Sequence, residues 1–179
     1  MKRILFLTLL ALQLACMSGA RAEKADADKP SNVEANQFTL DDVKQVKIFT
    51  GKVILTRGTL IMKADKVVVT TDPSGYQFAT LYAPPGGLAT FRQKRDGGPD
   101  LWIEGQAERI EYDDKTEIVK LFSKAQMRRL EGTKVTDVVN GEFISYDSRV
   151  EFYSVNNDVS GTSQPGAGRI KAVIQPKTK

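Results

Sequence analysis

Leu60-Ile-Met-Lys-Ala-Asp-Lys-Val-Val-Val69 reads as two short β-strands with a small residue and an acid between them. Leu60, Met62 and Ala64 share one parity, the alternation of a strand with one face buried and the other wet. The unit returns in Leu101-Trp-Ile-Glu-Gly-Gln-Ala-Glu-Arg-Ile-Glu-Tyr112 and again in Val138-Val-Asn-Gly-Glu-Phe-Ile-Ser-Tyr146. Outward from these copies the unit recurs between Phe38 and Val155, and period-two alternation dominates from Val33 onward. Lys52-Val-Ile-Leu-Thr-Arg57 is a β-rich run that turns at Gly58 into the next strand. Asp72-Pro-Ser-Gly75, Ala83-Pro-Pro-Gly-Gly87 and Asp96-Gly-Gly-Pro-Asp100 are turn or loop signals. Leu88–Gln93, Glu117–Phe122, Ala125–Arg129, Val150–Val155 and Arg169–Ile174 read as further strands, and Ser160–Gly168 as a loose Gly/Ser/Pro stretch.

No stretch keeps a helical period, so the expected fold is all-β, with about ten to fourteen short antiparallel strands turning every ~8–12 residues. The apolar faces must bury each other, in two sheets or one sheet folded over. Repetition of the hairpin unit predicts stacking along one axis, with strand edges open at both ends as templates for another strand.

The N-terminus has the form of a secretory signal peptide over residues 1–22: basic Lys2 and Arg3, an apolar Ile4–Cys16 core, and Ala20-Arg-Ala22 as cleavage site. Three basic residues leave with it, so the net charge of +4 falls to +1, and no global basic field of the nucleic-acid-binding kind remains. Residues 23–32 read as a flexible N-terminal tail, 33–175 as the β-domain, and 176–179 as a basic C-terminal tail. The chain has no histidine, and its only cysteine, Cys16, lies in the leader. Zinc-finger and thiol chemistry are thereby excluded from the mature chain, and no disulfide can form.

The acids Asp65, Glu108 and Glu142 each follow a small residue. They could be catalytic carboxylates, but their recurrence at one place in each unit fits a repeated turn or edge geometry better. Asp41-Asp42 and Asp113-Asp114 lack the calcium-loop spacing and read as solvated turns. Arg92-Gln-Lys-Arg95, Arg128-Arg129 and Arg169-x-Lys171 could meet lipid phosphates, or could serve solubility and edge protection. Val53, Leu55, Leu60, Met62, Phe91, Val119, Leu121, Ile144, Tyr146 and Phe152 fall on repeated inner parities. They would form an ordinary core, or line an acyl-chain groove if the sheets splay.

Phe49-Thr-Gly-Lys-Val-Ile-Leu-Thr-Arg-Gly-Thr-Leu-Ile-Met-Lys-Ala-Asp-Lys-Val-Val-Val-Thr70, Pro85–Gln93, Glu104–Tyr112 and Gly141–Tyr146 together resemble, in order, the repeats of the OstA-like family of periplasmic lipopolysaccharide-transport proteins. The resemblance spans about Val33 to Gln175. It implies an elongated, twisted, open β-jellyroll with no catalysis and no cofactor. It implies a periplasmic bridge carrying lipopolysaccharide from inner to outer membrane, with lipid A acyl chains in an apolar groove. Copies would stack head to tail by edge-strand pairing, between an inner-membrane-anchored transport partner and an outer-membrane translocon. Val33 and Phe91 match positions expected near the lipid path. The alternative is a secreted structural β-protein with a closed core and no lipid. The sequence departs from the family at Gly51-Lys52 and Ser123-Lys124, where Gly-Asn is usual at the first. Lys adopts left-handed backbone poorly, which leaves the turn type there open.

Overall fold

The computed structural model describes residues 26, 28–98 and 100–176; the leader assigned to residues 1–22 and the end of the basic tail lie outside the described residues. Among these residues, twelve antiparallel strands form one hydrogen-bonded sheet: β1 Asn32–Glu34, β2 Gln37–Asp41, β3 Val46–Arg57, β4 Leu60–Thr71, β5 Gln77–Tyr82, β6 Ala89–Lys94, β7 Leu101–Ala107, β8 Arg109–Asp113, β9 Ile118–Glu131, β10 Lys134–Asp147, β11 Phe152–Asn156 and β12 Lys171–Ile174.

The sheet is folded once along a line that every layer crosses. Four strands of twelve to fourteen residues, β3, β4, β9 and β10, run across this line. The other eight pair with only one half of a long strand. On one side of the line lie β1, the second half of β3, the first half of β4, β6, β7, the second half of β9, the first half of β10, and β12. On the other side lie β2, the remaining halves of the long strands, β5, β8 and β11. The protein is thus a V of two eight-layered half-sheets, the elongated open β-jellyroll that the family resemblance implies.

At the fold line the backbone leaves the pleat. Gly51 (φ 84°) and Lys52 (φ 51°) in β3, and Ser123 (φ 61°) and Lys124 (φ 53°) in β9, are all left-handed. The β3–β4 register breaks between Thr50 and Val53, and the β9–β10 register between Gly141 and Phe143. Gly51-Lys52 and Ser123-Lys124 are therefore bulged corners inside continuous strands and not hairpin turns. A bulge shifts side-chain parity by one. In β4 the buried set changes from Leu60, Met62 and Ala64 to Val67 and Val69 across Asp65, and in β10 from Val139 to Ile144 and Tyr146 across Glu142. Glu108 links β7 to β8 at the same level, donating its N–H to the Ser123 carbonyl at 3.0 Å. The three recurring acids mark the fold line, and Glu108 lies 2.5 Å from Lys124 Nζ at an exposed corner.

The halves close on a single apolar core. It takes Val53, Leu55, Leu60, Met62, Phe91, Ile103 and Met127 from one half and Val67, Val69, Leu81, Ile110, Val119, Leu121, Ile144 and Tyr146 from the other. Gly105 is an inner residue opposite Phe91, and an added Cβ there would stand 2.1 Å from the Phe91 ring. The glycine is what lets that ring lie flat in the core.

Candidate functional site

The candidate site is the space between the half-sheets, with its two ends and its long mouth opposite the fold line. Ten of the eleven residues read as groove lining do come together there. Val53, Leu60, Met62, Phe91, Val119, Leu121, Ile144 and Tyr146 are at most 2% exposed, and Leu55 is 8% exposed. Val33 in β1 packs half-buried on the same cluster, opposite Leu55. Phe152 does not belong. The register sets Tyr153, not Phe152, opposite Tyr146, which puts Phe152 on the outer face beside Asp147, 65% exposed. Tyr153 holds the inner place, half-buried against the core. Side chains fill this interior, so the middle of the V is packed closed.

The ends differ from the middle. At the N-terminal end β1 and β2 are outermost, and β2 exposes Phe38 and Leu40, the Phe38 ring stacked on Phe49 at 4.8 Å. At the C-terminal end β11 and β12 are outermost, with Phe152, Val173 and Ile174 each more than half exposed. Both ends are strand edges carrying exposed large apolar side chains, which folded chains ordinarily blunt.

The mouth is closed by polar contacts between rims. Arg57 ends the inner row of β3 and reaches across to the Asp114 carboxylate and the Tyr112 hydroxyl of the opposite half. Arg95, just past β6, donates to the Glu151 carboxylate across the mouth. Arg129 donates from Nη2 to the Glu151 carbonyl at 3.2 Å and lies 4.9 Å over the Tyr153 ring. Glu151 itself is left-handed, at φ 52°. Burial pushes the Tyr112 hydroxyl up to about 12, against the pull of the Arg57 charge. Burial pulls the Arg57 guanidinium down, but the bonds and charges of Asp114 and Tyr112 together outweigh it and the guanidinium is raised.

Several of these groups depart from the sequence reading. Asp114 is no solvated turn acid but the partner of a buried guanidinium. Asp26, in the stretch read as tail, is 3% exposed and accepts from Thr59 N (2.8 Å), Thr59 Oγ1 (2.5 Å) and Gln93 Nε2 (3.2 Å) at the rim. Arg57 was legible, since it continues the Val53 and Leu55 parity; Glu151 carried no local signal. The basic pairs split by alternation. Arg92 and Arg128 face outward and share the Glu104 carboxylate at 2.7 and 2.5 Å, beside a cleft of about 210 Å³, and Arg92 stacks 4.2 Å over Trp102. Arg95 and Arg129 face the mouth. Arg169 and Lys171 line an outer cleft of about 480 Å³ with Lys124 and Glu142. No group of three or more metal-ligating side chains occurs among the described residues.

A sheet folded once on itself, apolar within, charged without and open at both terminal edges, defines an open β-jellyroll module suited to end-to-end extension. The chain belongs to the family described as LptA/(LptD N-terminal domain) LPS transport protein, which it matches over residues 32–152. It is 37% identical over 142 residues to the lipopolysaccharide export system protein LptA of Escherichia coli strain K12, covering 77% of this chain and 75% of that protein. Over 174 residues it is 29% identical to the protein of the same name from Haemophilus influenzae, covering 97% and 91%. The crystal structure of LptH from Pseudomonas aeruginosa, the LptA homologous periplasmic component of the conserved lipopolysaccharide transport device, superposes with a TM-score of 0.72. That match covers 84% of this chain and 99% of the other at 24% identity, and it bears on the fold.

Proposed function

We propose that this chain is a periplasmic lipopolysaccharide carrier whose acyl-chain path is the interior of the V. The observation that carries the reading is the continuity of the apolar inner face, from the exposed edge at β1 and β2 to the exposed edge at β11 and β12. An acylated lipid crossing water exposes apolar surface at a cost of roughly 25 cal/mol per Å², and a continuous apolar strip removes that cost. The interior is packed, so acyl chains enter by parting the half-sheets along the fold line, while sugars stay outside. Copies join head to tail through the terminal strands, and the same edges meet an inner-membrane-anchored partner and an outer-membrane translocon. Export through a cleaved leader delivers the chain to the periplasm, and its role is transport without catalysis or cofactor.

The tight packing of Val53, Leu121 and Ile144 favours a second reading, a structural β-protein with a permanently closed core. Photo-crosslinking in living cells separates the two. Leu55 faces inward and its neighbour Ile54 outward. Lipopolysaccharide adducts at position 55 and not at 54 support the carrier. Absence of adducts at both, with the chain folded, favours the closed core.

A further inference from the structure

Three guanidiniums from one half-sheet, Arg57, Arg95 and Arg129, point into the mouth from inner positions. Arg57 stands opposite Leu60 and Arg129 opposite Ile103, both core residues. Each uses its terminal nitrogens on the far rim, and each keeps a buried Nε with no hydrogen-bond partner. An unmet donor on a buried cation is costly, and all three share the defect along one edge of the site. Among the described residues, two carboxylates, those of Asp114 and Glu151, serve the three from the opposite rim, and Arg129 donates to a backbone carbonyl in place of a carboxylate. Glu151 is held in left-handed backbone, a conformation that costs a non-glycine residue free energy.

We propose that these arginines are a phosphate-recognition row that doubles as the latch of the mouth: a phosphate on an acylated lipid replaces Asp114 and Glu151, and the rims part as it does so. The inference rests on the carrier reading above. Guanidinium matches phosphate as well as carboxylate, in the same forked geometry, and a phosphate offers more acceptor oxygens. The exchange satisfies donors that the closed state leaves unpaired, and releases Glu151. It places the charged head of the lipid at the mouth, with its acyl chains directed between the half-sheets. Arg92 and Arg128, on the outer face, already share Glu104 and take no part.

The test is equilibrium binding of the leaderless chain to detergent-dispersed lipid A, in its bis-phosphorylated form and after enzymatic removal of both phosphates, with inorganic phosphate as competitor. The phosphorylated form binds about tenfold or more tightly, the equivalent of one charge-assisted hydrogen bond or more. The R57Q/R95Q variant loses that preference and still binds the dephosphorylated lipid, while R92Q keeps it. E151Q, which retains every arginine and removes a competitor, binds the phosphorylated form several-fold more tightly, so the row is tested even if R57Q/R95Q fails to fold. Equal affinity of the two lipids for the unmodified chain would overturn the phosphate row and leave the carrier standing. Binding of neither would overturn both. Competition by inorganic phosphate at the lipid's own concentration would overturn the lipid as the phosphate's source.

Discussion

Gly105→Ala tests whether the two half-sheets are as closely packed as described. The new methyl would lie 2.1 Å from Phe91 Cε1, 2.8 Å from Phe91 Cδ1 and 2.9 Å from Leu121 Cδ2. All three distances fall well inside van der Waals contact. None of the neighbours is a free end: Phe91 is 2% and Leu121 0% exposed, on opposite halves of the V. Relief requires a rotation of the Phe91 ring off its favoured geometry or a shift of one half-sheet against the other. Overpacking of this kind costs about 1–3 kcal/mol. For a domain of this size each kcal/mol lowers Tm by about 2–4 °C. Gly105→Ala should therefore melt about 2–12 °C below the unmodified chain by circular dichroism. Phe91→Leu in the same chain should return part of the loss, because it removes the atoms in the way. A Gly105→Ala protein with unchanged Tm, or a double variant less stable than the sum of the two singles, would refute the packing argument.

Other consequences are open to measurement. Tyr112 has its pKa raised from about 10 to about 12, so the folded state holds this proton while the unfolded state releases it. The contribution is fully present below pH 10 and is lost as pH rises towards 12, at most about 2–3 kcal/mol; urea titrations of Tyr112→Phe should show a flatter alkaline limb. Lys52→Asn places a residue tolerant of left-handed backbone at φ 51° and should stabilise by about 0.5–1 kcal/mol, read as a rise in Tm of a few degrees at most. Phe152→Lys with Ile174→Lys puts charge on the terminal strands and should weaken self-association in light scattering without lowering Tm. Unchanged assembly would move the joint away from β11 and β12.

Most of the strands were legible because burial on one face writes itself as alternation: Leu60, Met62 and Ala64 sit where their parity places them. Parity fails wherever the backbone slips by one residue. The slip at Gly51-Lys52 has half of the usual left-handed signal and that at Ser123-Lys124 has none, so a corner inside a strand looked like a turn between two. Phe152 departs from its expected inner place for the same reason. It follows the Asp147–Glu151 turn, with its left-handed Glu151, and the count carried across that turn is off by one, so Tyr153 and not Phe152 faces inward. The rim contacts leave no mark in the sequence, on other grounds. Arg57 and Asp114 are 57 residues apart, and Arg95 and Glu151 are 56 apart. Nothing local couples them; they meet only because the sheet is folded, and a charged residue at a strand end resembles any other solvated one. Asp26 is similar: its role depends on where Thr59 and Gln93 stand in space.

The fold line has a mechanical meaning. Strand pairing is already interrupted there, so a change in the angle between the half-sheets bends backbone at a few unpaired positions and leaves the ladders on either side whole. Resistance to such a change comes instead from the contacts between the covers, the apolar filling and the rim arginines. The molecule resembles a book whose spine is pre-creased: its stiffness is set by what lies between the pages, and a guest that offers equivalent contacts can change the opening without unbinding a single leaf.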